Sequence, residues 1–152
     1  MNNKLLRALA ATFILGISAL QDAHASQVNF STRFSNAPTY SDANSLRAEV
    51  NALMAVAPTA GYCDRLGTDW TGDVSNQVYC GGSNSNIAFK ISALFSVDAS
   101  EVGKWTIRAG PDFGWGSALF IDGSPLAFSS DDLWWNGDMN NLAETLYGTV
   151  FL

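Results

Sequence analysis

The chain has 152 residues, with 8 Lys and Arg against 14 Asp and Glu, a net charge of −6, and only 14% charged residues in all. Such an acidic chain repels polyanions, which argues against nucleic acid or an anionic lipid surface as a partner. Its single histidine, His24, sits in the N-terminal segment, so the rest of the chain has no imidazole for a hydrolase triad of the usual kind or a histidine-ligated metal site.

Lys4 and Arg7 precede an apolar run from Ala8 to Leu20 that leads to Ala23-His24-Ala25. This order predicts a secretory signal peptide over residues 1–25, cleaved before Ser26. The run is shorter than the ~20 apolar residues a bilayer span needs, so no membrane span is expected in the mature chain. Removing 25 of 152 residues leaves 127, enough for one domain over residues 26–152. Lys4, Arg7 and Asp22 leave with the leader, so six cations face thirteen acids in a mature chain of charge −7.

Val28, Phe30, Thr32 and Phe34 alternate with polar residues and predict a half-buried strand. Ser41 or Asp42 then caps a helix running to Met54, in which Ala43, Leu46, Val50, Leu53 and Met54 share a face, and Pro58 closes the region. From Thr59 to Ser85 the chain is rich in Gly, Asp, Asn and Ser, and reads as one long loop. That loop holds Cys63 and Cys80, the only cysteines, with sixteen residues between them. Export to an oxidising compartment makes a disulfide the default for such a pair, contributing roughly 3 kcal/mol on the loop-entropy account. The alternatives are zinc, which would need two carboxylate ligands here, and a free catalytic thiol, which would lack an imidazole to activate it.

From Ile87 the strand signal strengthens, with Ile87, Phe89, Ile91, Ala93, Phe95 and Val97 in one period-2 row. Trp105, Ile107 and Ala109 form a second strand with Trp105 expected in the core, and Ala118 to Ile121 a third. This third strand ends at an Asp122-Gly123 turn, with Leu126 to Phe128 returning as its hairpin partner. Leu142 to Leu152 alternates again and stops without turn or cap. It reads as a strand without a partner, and hence as a domain missing its C-terminal portion. The expected fold is mainly β, an antiparallel β-sandwich of jelly-roll type with one short helix.

Trp105-Thr-Ile-Arg, Gly110-Pro-Asp-Phe-Gly and Ala118-Leu-Phe-Ile-Asp-Gly together resemble the central hairpin of the anthrax protective-antigen-type domain. With Ser45-Leu-Arg-Ala-Glu-Val, Gly61-Tyr-Cys, Cys80-Gly-Gly and Asp131-Asp-Leu-Trp-Trp added, the chain is similar, over nearly all of its mature length, to secreted bacterial proteins of the CCXG type. Those proteins usually carry a Cys-Cys-x-Gly motif and a C-terminal Pro-Glu-Pro (PEP-CTERM) sorting anchor, and both are absent here. In sugar-binding members of the protective-antigen type, two adjacent loop aspartates hold calcium. Pro111-Asp112 stands at the equivalent turn in this chain, so that calcium site does not carry over directly. The resemblance implies a β-sandwich and a route to the cell surface more firmly than a chemistry.

Trp105 to Trp135 holds four of the five tryptophans together with a cluster of aspartates. Asp112, Trp115, Asp131, Asp132, Trp134 and Trp135 are the candidate ligand-binding residues. Asp131, Asp132 and Asp138 are a candidate calcium set, since calcium takes hard oxygen ligands and Asn136 and backbone carbonyls lie nearby. Each aspartate also has a structural reading: Asp131-Asp132 shaping a solvated turn, Asp112 bonding loop amides, and Asp122 serving its turn. Adjacent side chains of an extended segment point to opposite faces, so one core cannot bury both Trp134 and Trp135. Trp115, between two glycines, is the better candidate for exposure, and an exposed indole can stack on a sugar ring, so Trp115 or Trp135 is the expected stacking platform, with Asp131 and Asp132 as polar or calcium-mediated contacts.

These features predict a secreted or cell-surface, non-catalytic module that binds carbohydrate or an extracellular-matrix polymer. The alternatives are a purely structural protein of the surface or biofilm matrix, and a carboxylate glycoside hydrolase. The last needs two carboxyls about 5–10 Å apart across a cleft, and the sequence displays no such pair.

Overall fold

The computed structural model describes residues 25–36, 40–67, 74–113 and 116–152. The predicted signal peptide falls almost wholly on residues 1–24, outside the described residues. The fold is mainly β. Its strands are β1 (Ala25–Phe34), β2 (Asp64–Gly67), β3 (Ile87–Phe95), β4 (Lys104–Ala109), β5 (Asp112–Phe113), β6 (Ser117–Ile121), β7 (Ser124–Ser129), β8 (Leu133–Trp134) and β9 (Leu146–Phe151). Two helices, α1 (Ala43–Met54) and α2 (Asn76–Cys80), accompany them. Every pairing is antiparallel: β2-β1-β3 in one sheet, with β4-β9, β5-β8 and β6-β7 as two-stranded ladders.

β1 is the central strand of the three-stranded sheet, and that position modifies its alternation. Phe30 and Thr32 are buried as the pattern requires, but Arg33 is buried too and Phe34 is 51% exposed. Arg33 tolerates burial because its guanidinium is fully engaged. It makes two 2.9 Å bonds to the carboxylate of Asp64 and donates to the carbonyls of Val56 and Thr32, each at 2.7 Å. Charge-assisted, bidentate pairing of this kind offsets the desolvation of the cation.

The long loop expected over Thr59–Ser85 contains two ordered elements. β2 pairs with the outer edge of β1, from Val28↔Gly67 to Ser31↔Asp64. α2 begins at Ser75, whose side chain caps Val78 N at 3.2 Å, and ends at Gly81 in the left-handed region at φ 74°. So short a helix has little stability of its own; buried Asn76 ties it to the sheet. Asn76 accepts from Thr32 Oγ1 at 2.6 Å and donates to the carbonyls of Gly61 at 2.9 Å and Ser83 at 2.7 Å. Cys63 and Cys80 are disulfide-bonded beside this network, as the sequence led us to expect. Among the described residues there are thus two helices where one was predicted, because α2 depends on partners remote in sequence.

α1 begins where predicted, with Asp42 Oδ1 accepting from Asn44 N and Ser45 N, each at 2.9 Å. The main core joins β3, β4 and β6 through Phe95, Ile107, Leu119 and Ile121, and a smaller one joins Ala109, Leu133 and Leu146. The last strand corrects another expectation, because it does have a partner. β9 runs along β4 from Lys104↔Phe151 to Ala109↔Leu146, and Leu152 and Gly103 exchange two further backbone bonds of 3.0 and 2.9 Å. Trp105 is half-buried instead of core, with its indole N–H donating to the Glu101 carbonyl at 3.0 Å.

Candidate functional site

The chain from Ala109 to Phe113 and the chain from Asp131 to Trp135 meet in the β5–β8 ladder, where Asp112 is opposite Trp134 and Phe113 opposite Leu133. Leu133 is buried against Ala109 and Leu146. Strand alternation therefore turns Trp134 outward, and it is 70% exposed. Opposed residues of an antiparallel pair project to the same face, so the exposed Asp112 carboxyl stands beside this indole.

Trp135 takes the other direction and is half-buried, with its ring against Gly110. A Cβ at Gly110 would lie 2.5 Å from the ring, so only glycine permits this contact. The indole nitrogen of Trp135 is buried without a hydrogen-bond partner. Of the adjacent pair, Trp134 is the one that offers an open ring face. Trp115 lies outside the described residues.

The loop after β8 is organised by its own side chains. Asn136 Oδ1 accepts from Asp138 N at 3.0 Å, and Asp138 Oδ1 accepts from Asn140 N at 2.8 Å, two successive Asx turns. Arg108 holds the loop to β4 through Asn140 Oδ1 at 2.8 Å and the Met139 carbonyl at 3.1 Å. Asp131 and Asp132 are exposed, and Asp131 N donates to Ser129 Oγ at 3.2 Å. Among the described residues, no three His, Cys, Asp or Glu side chains gather where they could hold a metal ion, so Asp131, Asp132 and Asp138 do not form a ready carboxylate cluster. A cation here would draw on main-chain and amide oxygens as well. Asp122 is committed to its turn: at φ 49°, followed by Gly123 at φ 78°, it has the positive angles that two-residue hairpin turns demand.

No family model matches this chain, and neither a curated protein nor a solved structure does.

A second concavity, which sequence reasoning missed, lies under α1. It has a volume of about 370 Å³ and is walled by Leu46 and Val50 of α1, Phe89 and Ile91 of β3, and Ala118 and Phe120 of β6. Arg47 and Lys90 also line it. Arg47 lies 4.6 Å over the Phe120 ring and is held by the Gly123 carbonyl and, at 3.0 Å, by Asn44 Oδ1. Lys90 Nζ donates to Asn51 Oδ1 at 2.8 Å. Burial lowers the pKa of the Lys90 ammonium group from its ordinary value. In the sequence nothing local links Arg47, on α1, with Lys90, on β3. Only the packing of α1 across β3 and β6 brings them together.

Proposed function

We propose that the chain is a secreted, non-catalytic β-sandwich module that holds a carbohydrate or cell-surface polymer, with Trp134 as the stacking platform and Asp112 as its polar neighbour. The observation that carries this reading is the Asp112–Trp134 pairing, which sets an open indole face and a carboxylate side by side. Sugars are commonly recognised by just this combination: an apolar ring against the C–H face and an acceptor for the hydroxyls. Asp131 and Asp132, three and two positions before Trp134, extend the acidic rim and serve as direct or calcium-mediated contacts. The resemblance to CCXG-type and protective-antigen-type proteins and the leader-like N-terminus support export and a surface role.

The test is a glycan array probed with and without calcium, followed by retention on the best polysaccharide for the parent chain and Trp134→Ala. Loss of retention in a folded variant supports the reading. Equal retention removes Trp134 from it. A purely structural matrix role is the second reading. It is favoured by the way Asp138, Asn136 and Ser129 are consumed in holding their own loops, and it predicts no glycan retention by the parent chain.

A further inference from the structure

The cavity beneath α1 is unlike a packing defect in size, wall and charge. It is a pocket partly open to solvent, with a volume of about 370 Å³. That is within the range of small-molecule pockets. It also leaves part of the apolar face of α1 unfinished: Leu46 and Val50, which line it, are each only half-buried.

The cations complete the argument. In a chain of net charge −6, Arg47 and Lys90 both line this cavity. Among the described residues the one ion pair is Arg33–Asp64, so neither Arg47 nor Lys90 is paired with a described carboxylate. Both are half-buried and held by neutral oxygens, Arg47 by the Gly123 carbonyl and Asn44, and Lys90 by Asn51, so their charges remain available to an anion. Ser117, also in the cavity wall, has a buried hydroxyl without a hydrogen-bond partner.

We infer that this cavity is a binding site for a small amphiphilic monocarboxylate, whose acyl or aryl body lies against Leu46, Val50, Phe89 and Ile91 and whose carboxylate lies between Arg47 and Lys90. The hydrocarbon removes apolar wall from water, and the carboxylate supplies the missing negative charge. This site is separate from the Asp112–Trp134 face and stands whether or not that face binds glycans.

Decanoate, kept below its micelle-forming concentration, is the probe, with decanol as its uncharged counterpart, and calorimetric titration of the purified chain is the measurement. The expected result is saturable one-to-one binding of decanoate, at least about tenfold tighter than decanol, as expected for a lost charge-assisted hydrogen bond. Arg47→Gln and Lys90→Gln should each weaken decanoate by about tenfold or more while leaving decanol unchanged. Val50→Trp should fill the cavity and abolish binding of both ligands. Ala118→Leu fills it from the opposite wall and replaces Val50→Trp if circular dichroism shows that variant unfolded. Absence of saturable decanoate binding, equal affinity for decanol, or unchanged binding in a folded, cavity-filled variant would overturn the assignment.

Discussion

Asp112 and Trp134 are Cα partners across the two-residue β5–β8 ladder, so two residues that are 22 positions apart share one solvent-facing surface. The backbone holds this relationship, because Leu133, next to Trp134, is locked into the small core with Ala109 and Leu146. An exposed indole presented by a fixed strand loses little freedom when it stacks on a ligand. Trp134→Ala is expected to weaken polysaccharide retention about tenfold, the order of one stacking contact, while unfolding stability moves by no more than about 0.5 kcal/mol. Affinity electrophoresis and urea titration of the same preparation separate the two effects. A large stability loss would show that Trp134 packs more than it recognises.

The strands and α1 were legible because their signals are local. The odd-numbered row of β3, the Asp122-Gly123 turn and the Asp42 cap each lie within a few residues of what they specify. The same local alternation showed that Trp134 and Trp135 part ways but not which is exposed; the structure exposes Trp134, where Trp135 had been expected as a platform. What was illegible depends on distant partners. α2 needs Thr32 to bond Asn76, Arg33 needs Asp64 to be buried, and β9 needs β4. Asp112 could be marked as a site residue from its loop composition, but its neighbour across the ladder could not. Arg47 and Lys90 are a further case, since one is on a helix and the other on a strand.

The Arg33–Asp64 pair makes a pH prediction. The Arg33 guanidinium holds the Asp64 carboxyl below its ordinary range, chiefly by hydrogen bonding and against the opposing effect of burial, with Ser31 assisting. A carboxylate with a depressed folded-state pKa stabilises the fold above its unfolded pKa, and that contribution disappears as pH falls through the folded value. Stability should therefore decline below about pH 4, and Asp64→Asn should flatten part of that decline. Because the Asp64 side chain is 52% exposed, the Asp64 share should be only about 1 kcal/mol. Urea midpoints from pH 7 down to pH 3 test this; equal acid slopes for parent and variant would exclude it.

Asn76 is 0% exposed and holds Thr32, Gly61 and Ser83 together around α2. Asn76→Ala would leave the Gly61 and Ser83 carbonyls and the Thr32 hydroxyl without this partner. The expected loss is about 3 kcal/mol, and Asn76→Asp should restore the Thr32 contact but not the two donated bonds. Amide exchange should then speed up in α2 and β2 while β4, β6 and β9 stay protected. Uniform loss of protection throughout the chain would mean that the network supports the whole fold.

Cys63 and Cys80 close the segment that carries β2 and α2, and their Cα atoms lie 5.4 Å apart. Purified, unreduced protein should give almost no signal with a thiol reagent until it is reduced. Replacing both residues with alanine should lower stability by roughly 3 kcal/mol, from the loop entropy returned to the unfolded chain. Two reactive thiols in unreduced protein would refute the bond.

Gly110 offers a way to separate the packing role of Trp135 from the recognition role proposed for its neighbour. A methyl group at Gly110 would meet the Trp135 ring at 2.5 Å, so the ring has to move. Gly110 follows Ala109, a member of the small core that also holds Leu133. Gly110→Ala should therefore cost about 1–3 kcal/mol, as overpacking does. Displacing a half-buried indole toward water should red-shift its fluorescence, provided the other tryptophans stay in place, and Trp135→Phe in the Gly110→Ala background should abolish the extra shift. The β5–β8 ladder adjoins this contact, so polysaccharide retention reads out its alignment. If retention falls in Gly110→Ala and returns in the double variant, the Gly110–Trp135 contact positions Asp112 and Trp134. If stability falls but retention is unchanged, Trp135 belongs to the core alone.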